Sequence, residues 1–175
     1  MLGRGGVPSV PPIPRVALDG GAAAEPAWVG AGQVLGPCVI GFGADVDSDV
    51  AAWGKRLAAD VFGGDPLFAF FAEKLCSDLV LVGDDIMTVL TRECTEFSAR
   101  VQLHTAEVKK KTVAQGPFYS EYLPAETILA APLTLRVREH GDALSALLTG
   151  TVLQLGGDET IGKGLMWTRL LGSAA

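Results

Sequence analysis

The sequence predicts an α+β fold that begins with irregular structure. Its 175 residues fit one domain, and 49% of them are hydrophobic against 19% charged, a composition that can pack a core. Apolar residues recur at helical spacing after residue 47, and from Glu96 the period shifts toward two, which is typical of strands. Because the predicted helices and short strands follow no regular βαβ alternation, a doubly wound parallel sheet is disfavoured.

Residues 1–32 are predicted to be an irregular segment rich in proline and glycine. The first 43 residues hold six of the ten prolines and ten of the 22 glycines, which removes backbone donors and raises the entropy lost on ordering. Only residues 33–42 turn apolar within this stretch. The folded region is therefore predicted to span residues 33–175.

The first half of that region is predicted to be mainly helical. Asp47 precedes Val50, Trp53, Leu57 and Val61, which recur at spacings of three and four as one buried helical face requires. This helix should end at residues 63–66, where two glycines and a proline follow. The next elements are a short helix over 67–75, a strand over 78–82 and a helix that begins at Asp84 and Asp85.

The second half is predicted to contain more strands. Residues 97–103 and 116–121 indicate a long hairpin-like excursion with a polar, basic middle. The remaining elements are a strand over 129–137 that Pro132 weakens, a helix over 142–148, and strands over 151–155 and 165–171 around a glycine loop.

The hairpin is the most basic part of an acidic chain. Residues 98–121 carry four cations, Arg100, Lys109, Lys110 and Lys111, and two acids, whereas the whole chain has a net charge of −6. A basic arm of this kind can bind a polyanion, and Phe118 and Tyr119 can stack on bases. The alternative is a solvated lysine tip with two aromatic residues that anchor the hairpin in the core.

The glycine loop first has to be compared with a nucleotide-binding P-loop. Residues 157–164 match G-x-x-x-x-G-K, but Gly164 stands where a magnesium-binding hydroxyl is needed, and a predicted strand follows instead of a helix. The loop can still form an anion-binding nest of backbone amides, with Lys163 adding charge; its glycines are Gly156, Gly157, Gly162 and Gly164. The alternative is a hairpin connection that needs glycine only for its positive φ angles.

Other functional classes receive little support from the sequence. The three cysteines are widely spaced, which predicts neither a disulfide framework nor a zinc site and favours a reducing, cytoplasmic location. Prolines interrupt any signal-like apolar run near the N-terminus. Asp84 and Asp85 could serve a metal-dependent nuclease, but the start of a helix explains them more simply. We predict no metal site and no cofactor in this chain.

Three stretches carry a family resemblance when they are taken together. Residues 74–85, KLCSDLVLVGDD, lead into residues 93–103, ECTEFSARVQL. Residues 116–127 read GPFYSEYLPAET, and residues 153–164 read LQLGGDETIGKG. In this order and spacing they resemble the C-terminal half of the RAMP-superfamily backbone subunit of the type III-B CRISPR Cmr effector complex.

The resemblance implies an incomplete modified ferredoxin-like or RRM-like RAMP core with a protruding β-hairpin thumb. In that family the subunit polymerises along the guide RNA, and its thumb projects between guide and target RNA. The resemblance places the thumb at residues 98–121 and a guide-contacting loop at residues 156–164. Copies of the chain, other Cmr subunits, guide RNA and target RNA are therefore the expected partners, and no membrane is expected.

The family also cleaves target RNA with a divalent metal, through an aspartate in an N-terminal loop. Nothing in residues 1–32 matches that loop, so the resemblance assigns no catalytic residue here and leaves enzyme activity open. The resulting expectation is a truncated guide-RNA-binding subunit that acts in antiviral defence. The alternative is a catalytically inert remnant that keeps only the fold and its protein-interaction surfaces.

Overall fold

The computed structural model describes residues 10–103 and 113–171 and shows a mixed α+β chain. The chain divides into two compact units, Met1–Ile128 and Leu129–Ala175. The boundary between these two units lies after residue 128. It differs from the boundary at residue 32, after which the composition predicts that the folded region begins.

The first unit contains a four-stranded sheet and a separate two-stranded hairpin. The sheet strands are β1 Gly21–Ala23, β2 Gly30–Leu35, β3 Cys38–Phe42 and β4 Val80–Val82, in the spatial order β2-β3-β1-β4. β1 runs parallel to β3 and antiparallel to β4, and β2 runs antiparallel to β3. The hairpin consists of β5 Glu96–Leu103 and β6 Val113–Tyr122.

Regular structure begins at Gly21, inside the segment that the composition predicts to be irregular. β1, a 3-10 turn over Pro26–Trp28 and the start of β2 all precede residue 33. The prediction for residues 21–32 therefore needs correction. The small residues of β1 have a weak intrinsic preference for strands. β1 forms because β3 and β4 pair with it on both sides and satisfy its backbone hydrogen bonds.

Three helices accompany the sheet: α1 Ser48–Phe62, α2 Ala69–Asp78 and α3 Asp84–Glu93. α1 agrees with its predicted limits, since the Asp47 carboxylate accepts from the amides of Asp49 and Val50 at 2.8 and 3.0 Å, and Gly63 ends the helix at φ 63°. α3 begins after Gly83, which makes no side-chain cap, so Asp84 and Asp85 occupy the first turn, where the helix dipole favours negative charge.

The core of the first unit lies on both faces of the four-stranded sheet. On one face, Ala23, Ile40 and Phe42 pack with Ile86 and Leu90 of α3. On the other face, Ala22 and Ala24 pack with Val50 of α1. This alternation along β1 follows the two-residue period of a strand and places one helix against each face of the sheet.

The second unit contains α4 Gly141–Leu148 and an antiparallel pair, β7 Thr151–Gln154 and β8 Leu165–Thr168. The helix and the two strands agree with the sequence prediction to within a few residues. The predicted strand over residues 129–137 is wrong, because that stretch is irregular and its side chains are exposed. Pro132 cannot donate to a ladder, and no described strand pairs with the segment.

None of the helices in the described part of the chain has the length and apolarity that crossing a bilayer requires.

Candidate nucleic-acid interface

The β5–β6 hairpin has a register that fixes which side chains share a face. Ala99 pairs with Tyr119, Arg100 pairs with Phe118, and the register shifts beyond Arg100. Gly116 and Pro117 lie in the stretch of β6 that carries the extra residue, where a proline costs no ladder hydrogen bond. Neighbouring residues of one strand point to opposite faces, so Phe118 and Tyr119 cannot lie on the same face.

The first face of the hairpin is polar and carries Arg100. The guanidinium of Arg100 donates to the hydroxyl of Tyr122 and lies 5.7 Å from the centre of the Tyr122 ring. Phe118 stands directly opposite Arg100 on the same face. Because the Arg100 guanidinium contacts Tyr122 through both a hydrogen bond and the ring, its position and orientation on this face are restricted.

The second face of the hairpin is largely apolar, apart from Glu121, and it is open to solvent. Tyr119 is 71% exposed and Phe97 is 64% exposed, and the two are diagonal neighbours because Phe97 pairs with Glu121. Val101 continues this face along β5 and is half exposed. Two exposed aromatic rings and an aliphatic side chain can stack on bases or pack on a protein. Phe97 is not among the residues that the sequence alone singles out.

Lys109, Lys110 and Lys111 lie outside the described residues. They fall in the sequence between β5 and β6, so the connection between the two strands carries the lysine run. Of the predicted hairpin residues, the structure brings together Arg100 and Phe118 and separates Tyr119 from them by one face of the ribbon.

The glycine loop joins β7 to β8 and is closed at its base. The amide of Leu155 donates to the carbonyl of Gly164 at 2.9 Å, and the side-chain amide of Gln154 donates to the carbonyl of Lys163 at 2.9 Å. Gly164 has φ 80°, and a Cβ at this position would overlap the Leu155 carbonyl oxygen. Only glycine satisfies both the backbone conformation and this close approach.

Part of the loop's backbone is committed to the loop itself. A short 3-10 turn over Glu159–Ile161 fills its tip, and the amides of Ile161 and Lys163 both donate to the carbonyl of Asp158. Among the described residues, no backbone carbonyl accepts from the amides of Gly156 or Gly157, and both glycines are exposed. An anion nest therefore has to use the first part of the loop rather than its end.

The loop's context differs from that of a nucleotide-binding P-loop. The residues after Gly164 form strand β8, which pairs antiparallel with β7 through Gln154 and Leu165. No helix N-terminus follows the lysine, so the dipole that holds phosphate in a P-loop is missing at this position. The structure agrees with the expectation that the loop is a hairpin connection in form.

An ion pair on α2, outside the hairpin, joins Lys74 and Asp78. The Lys74 ammonium lies 2.6 Å from the Asp78 carboxylate, which also accepts from the Trp28 indole at 3.4 Å. The hydrogen bond from Lys74 holds the pKa of Asp78 below its usual 3.8. The same hydrogen bond raises the pKa of Lys74 above 10.5. The pair ties the end of α2 to the 3-10 turn that contains Trp28.

Metal-binding side chains do not cluster in the described part of the chain. No three His, Cys, Asp or Glu side chains converge there. Asp84 and Asp85 are exposed in the first turn of α3, and the Asp85 amide donates to the Leu18 carbonyl at 3.1 Å. Their position agrees with a role in helix initiation.

Comparison with known proteins supports the resemblance seen in the sequence. No protein-family model matches the chain. The CRISPR system Cmr endoribonuclease Cmr4 of Pyrococcus furiosus is 28% identical over 101 residues, which is 54% of this chain and 34% of that protein. The chain is homologous to Cmr4. The homology spans about a third of the relative's length.

A solved structure of Cmr4 shares the fold of this chain. A crystal structure of Cmr4 superposes with a TM-score of 0.55 at 23% identity and covers 93% of this chain but 56% of Cmr4. A second, of oligomeric Cmr4 from Pyrococcus furiosus, gives a TM-score of 0.49 at 21% identity and covers 91% of this chain and 54% of the other. The chain thus spans about half the length of the Cmr4 structures it matches.

Proposed function

We propose that this chain acts as a guide-RNA-binding backbone subunit of a type III-B CRISPR Cmr complex. The observation that carries the proposal is the β5–β6 hairpin, a two-stranded ribbon with an oriented arginine on one face and exposed aromatic rings on the other. Its connecting sequence contains three consecutive lysines. Homology to Cmr4 supports the same proposal from sequence.

The hairpin and the glycine loop supply two kinds of contact to RNA. Lysines at the hairpin bind phosphates through charge, and the exposed rings of Phe97 and Tyr119 stack on unpaired bases. The exposed amides of Gly156 and Gly157 bind phosphodiester oxygens without reading sequence. In this proposal the hairpin is the RAMP thumb, the four-stranded sheet belongs to a modified ferredoxin-like core, and other Cmr subunits and further copies of the chain complete the assembly.

Cleavage of target RNA is not assigned to any residue of this chain. Cmr4 is an endoribonuclease, and family members use a divalent metal, but the region of homology spans only part of that protein. In the proposal, this chain's part is to hold guide RNA in an antiviral RNA-silencing complex in the cytoplasm.

The proposal is tested by the salt dependence of binding to single-stranded RNA. The full chain with Lys109, Lys110 and Lys111 all changed to Ala is compared with wild type by fluorescence anisotropy on a labelled oligonucleotide. Because each phosphate contact contributes about −0.7 to the slope of log K against log salt for single strands, the triple variant should reduce the magnitude of this negative slope by about 2. The loss of affinity should be the same for different RNA sequences.

A charge-matched control separates local contacts from overall charge. Lys55, Arg92 and Arg136 are exposed cations outside residues 96–122, and their triple alanine variant removes the same charge. We expect this control to keep most of the wild-type salt slope. An equal reduction of the salt slope in both variants, or unchanged RNA affinity in the hairpin variant, would refute the proposed role of the hairpin.

A second candidate function is a protein-interaction module without RNA affinity. It is favoured by an exposed apolar cluster at the junction of α1 and α2, where Leu67 and Phe70 are exposed and Phe71 is within 6.5 Å of Phe62, ring to ring. Exposed apolar clusters of this kind mark protein–protein interaction sites. Absence of RNA binding at low salt, where electrostatic binding is strongest, would favour this second function.

A further inference from the structure

The segment before the sheet contacts α1 through one specific polar interaction. The indole Nε1–H of Trp53 donates to the carbonyl oxygen of Pro12 at 2.8 Å. The segment reads Val10-Pro11-Pro12-Ile13-Pro14 and has no helix or strand. Proline has no backbone N–H, so the backbone of Pro12 can only accept, and a tryptophan indole can only donate, which makes the two groups matched partners.

Two prolines of the segment, three residues apart, are less exposed than the residues between them. Pro11 and Pro14 are half-buried, whereas Pro12 and Ile13 between them are exposed, Ile13 at 80%. A polyproline II helix has three residues per turn, so residues 11 and 14 lie on the same side of it. The sequence Pro11-x-x-Pro14 is the pattern with which such helices present two prolines to an aromatic surface.

The chain that follows is held firmly to the first unit. Val16 packs against the apolar cluster of Ala22, Ala24 and Val50. The carbonyl of Leu18 accepts from the amide of Asp85, and the carbonyl of Gly20 accepts from the amide of Gly83 at 2.9 Å. Because residues 16–20 are anchored, the segment 10–14 stays close to Trp53, and its effective concentration at α1 is high.

We propose that α1 carries at Trp53 a recognition site for proline-rich peptides in the polyproline II conformation, occupied here by the chain's own residues 10–14. The hydrogen bond fixes the register of the peptide, and the two prolines supply preformed apolar contact at low entropic cost. This site shares no residue with the hairpin or with the glycine loop, so the proposal does not depend on RNA binding.

The test uses solvent exchange of the Trp53 indole N–H, followed by NMR in the full-length ¹⁵N-labelled chain and assigned with Trp53→Phe. In wild type this proton should exchange slowly, because it is hydrogen-bonded. Changing both Pro11 and Pro14 to Ala should speed the exchange about fivefold or more. Adding a synthetic peptide of residues 10–16 to that variant should shift the Trp53 signal and slow its exchange again.

Two controls decide between recognition and general loosening. Ile13→Ala alters an exposed side chain of the same segment and should leave the exchange of the Trp53 indole unchanged. The indole signals of Trp28 and Trp167 should keep their wild-type positions in every variant, which reports an intact fold. Exchange that is unaffected by the two proline substitutions, an equal effect of Ile13→Ala, or a peptide that leaves the Trp53 signal of the proline variant unmoved would overturn the proposal.

Discussion

Gly164 closes the loop between β7 and β8 at a point where no other residue fits. Its φ of 80° lies in the left-handed region, and its missing Cβ leaves room for the carbonyl of Leu155. A side chain here has to move the backbone that the amide of Leu155 and the carbonyl of Gly164 join. The shape of the loop thus depends on this glycine more than on its other glycines that have open space around them.

Gly164→Ala should therefore lower the free energy of unfolding of the second unit by about 1–3 kcal/mol, through backbone strain and lost packing. The change is measured by chemical denaturation followed through Trp167, which lies in β8. Gly157→Ala is the matched control, because Gly157 has no positive φ and a methyl group there would meet no atom within 4 Å. Equal effects of the two substitutions would contradict this account of the loop.

The Lys74–Asp78 pair gives a prediction for pH. The pKa of Asp78 is lowered in the folded state, so its contribution to stability is present above its unfolded pKa and is lost as pH falls through the folded value, below 3.8. Lys74→Met should raise the pKa of Asp78 toward 3.8, as followed by carboxyl ¹³C NMR. Lys55→Met, a change to another exposed lysine, should leave Asp78 unchanged. An unmoved Asp78 titration in Lys74→Met would be inconsistent with the pair.

At the scale of elements, the hairpin is a ribbon with two unlike faces. Arg100, Phe118 and Tyr122 share one face, and Phe97 and Tyr119 share the other. RNA that stacks on the exposed face meets Phe97 and Tyr119, whereas Phe118 lies beside the oriented Arg100. In the proposed function, the two faces therefore make different contributions to RNA binding.

Replacing Phe97 and Tyr119 together by Ala should weaken single-stranded RNA binding by about 1–3 kcal/mol for each stacked base. Since both rings are largely exposed, the midpoint of thermal unfolding should change little. Binding is measured by anisotropy, and Phe70→Ala, an exposed ring on α2, serves as the control. A double variant that binds RNA as tightly as the Phe70→Ala control would show that this face does not stack on bases.

Elements with a local sequence signal can be predicted from the sequence, and elements without one cannot. α1 is predictable from the Asp47 cap to the Gly63 end because both signals act within a few residues. β1 escapes prediction because Gly21–Ala23 has no strand pattern and forms only between β3 and β4. The strand expected near Pro132 fails for the opposite reason, since its leucines have no described partner strand.

The same distinction holds for the candidate interface. The basic hairpin and the glycine loop can be predicted from charge and composition, which are local. The separation of Phe118 from Tyr119 follows from the two-residue period of a strand, but the pairing of Phe97 with Glu121 depends on the hairpin register. The extra residue at 116–117 shifts the pairing between Arg100–Phe118 and Gln102–Gln115. Residue spacing in the sequence does not reveal such a bulge.

At the scale of the whole molecule, the chain combines an acidic body with a basic arm. Its net charge is −6, while residues 98–121 carry four cations against two acids. Repulsion from the rest of the chain disfavours RNA elsewhere on its surface and favours its placement along the arm. The central claim of the proposed function is that the hairpin binds RNA.

Hydrogen exchange of the full chain with and without single-stranded RNA, read by mass spectrometry at low salt, tests this claim most directly. We predict that RNA slows exchange in peptides covering residues 96–122, with a smaller effect over residues 155–164, and that both effects fade as salt is raised. Protection confined to residues 48–78, or no protection of the hairpin under conditions where RNA is bound, would contradict the account.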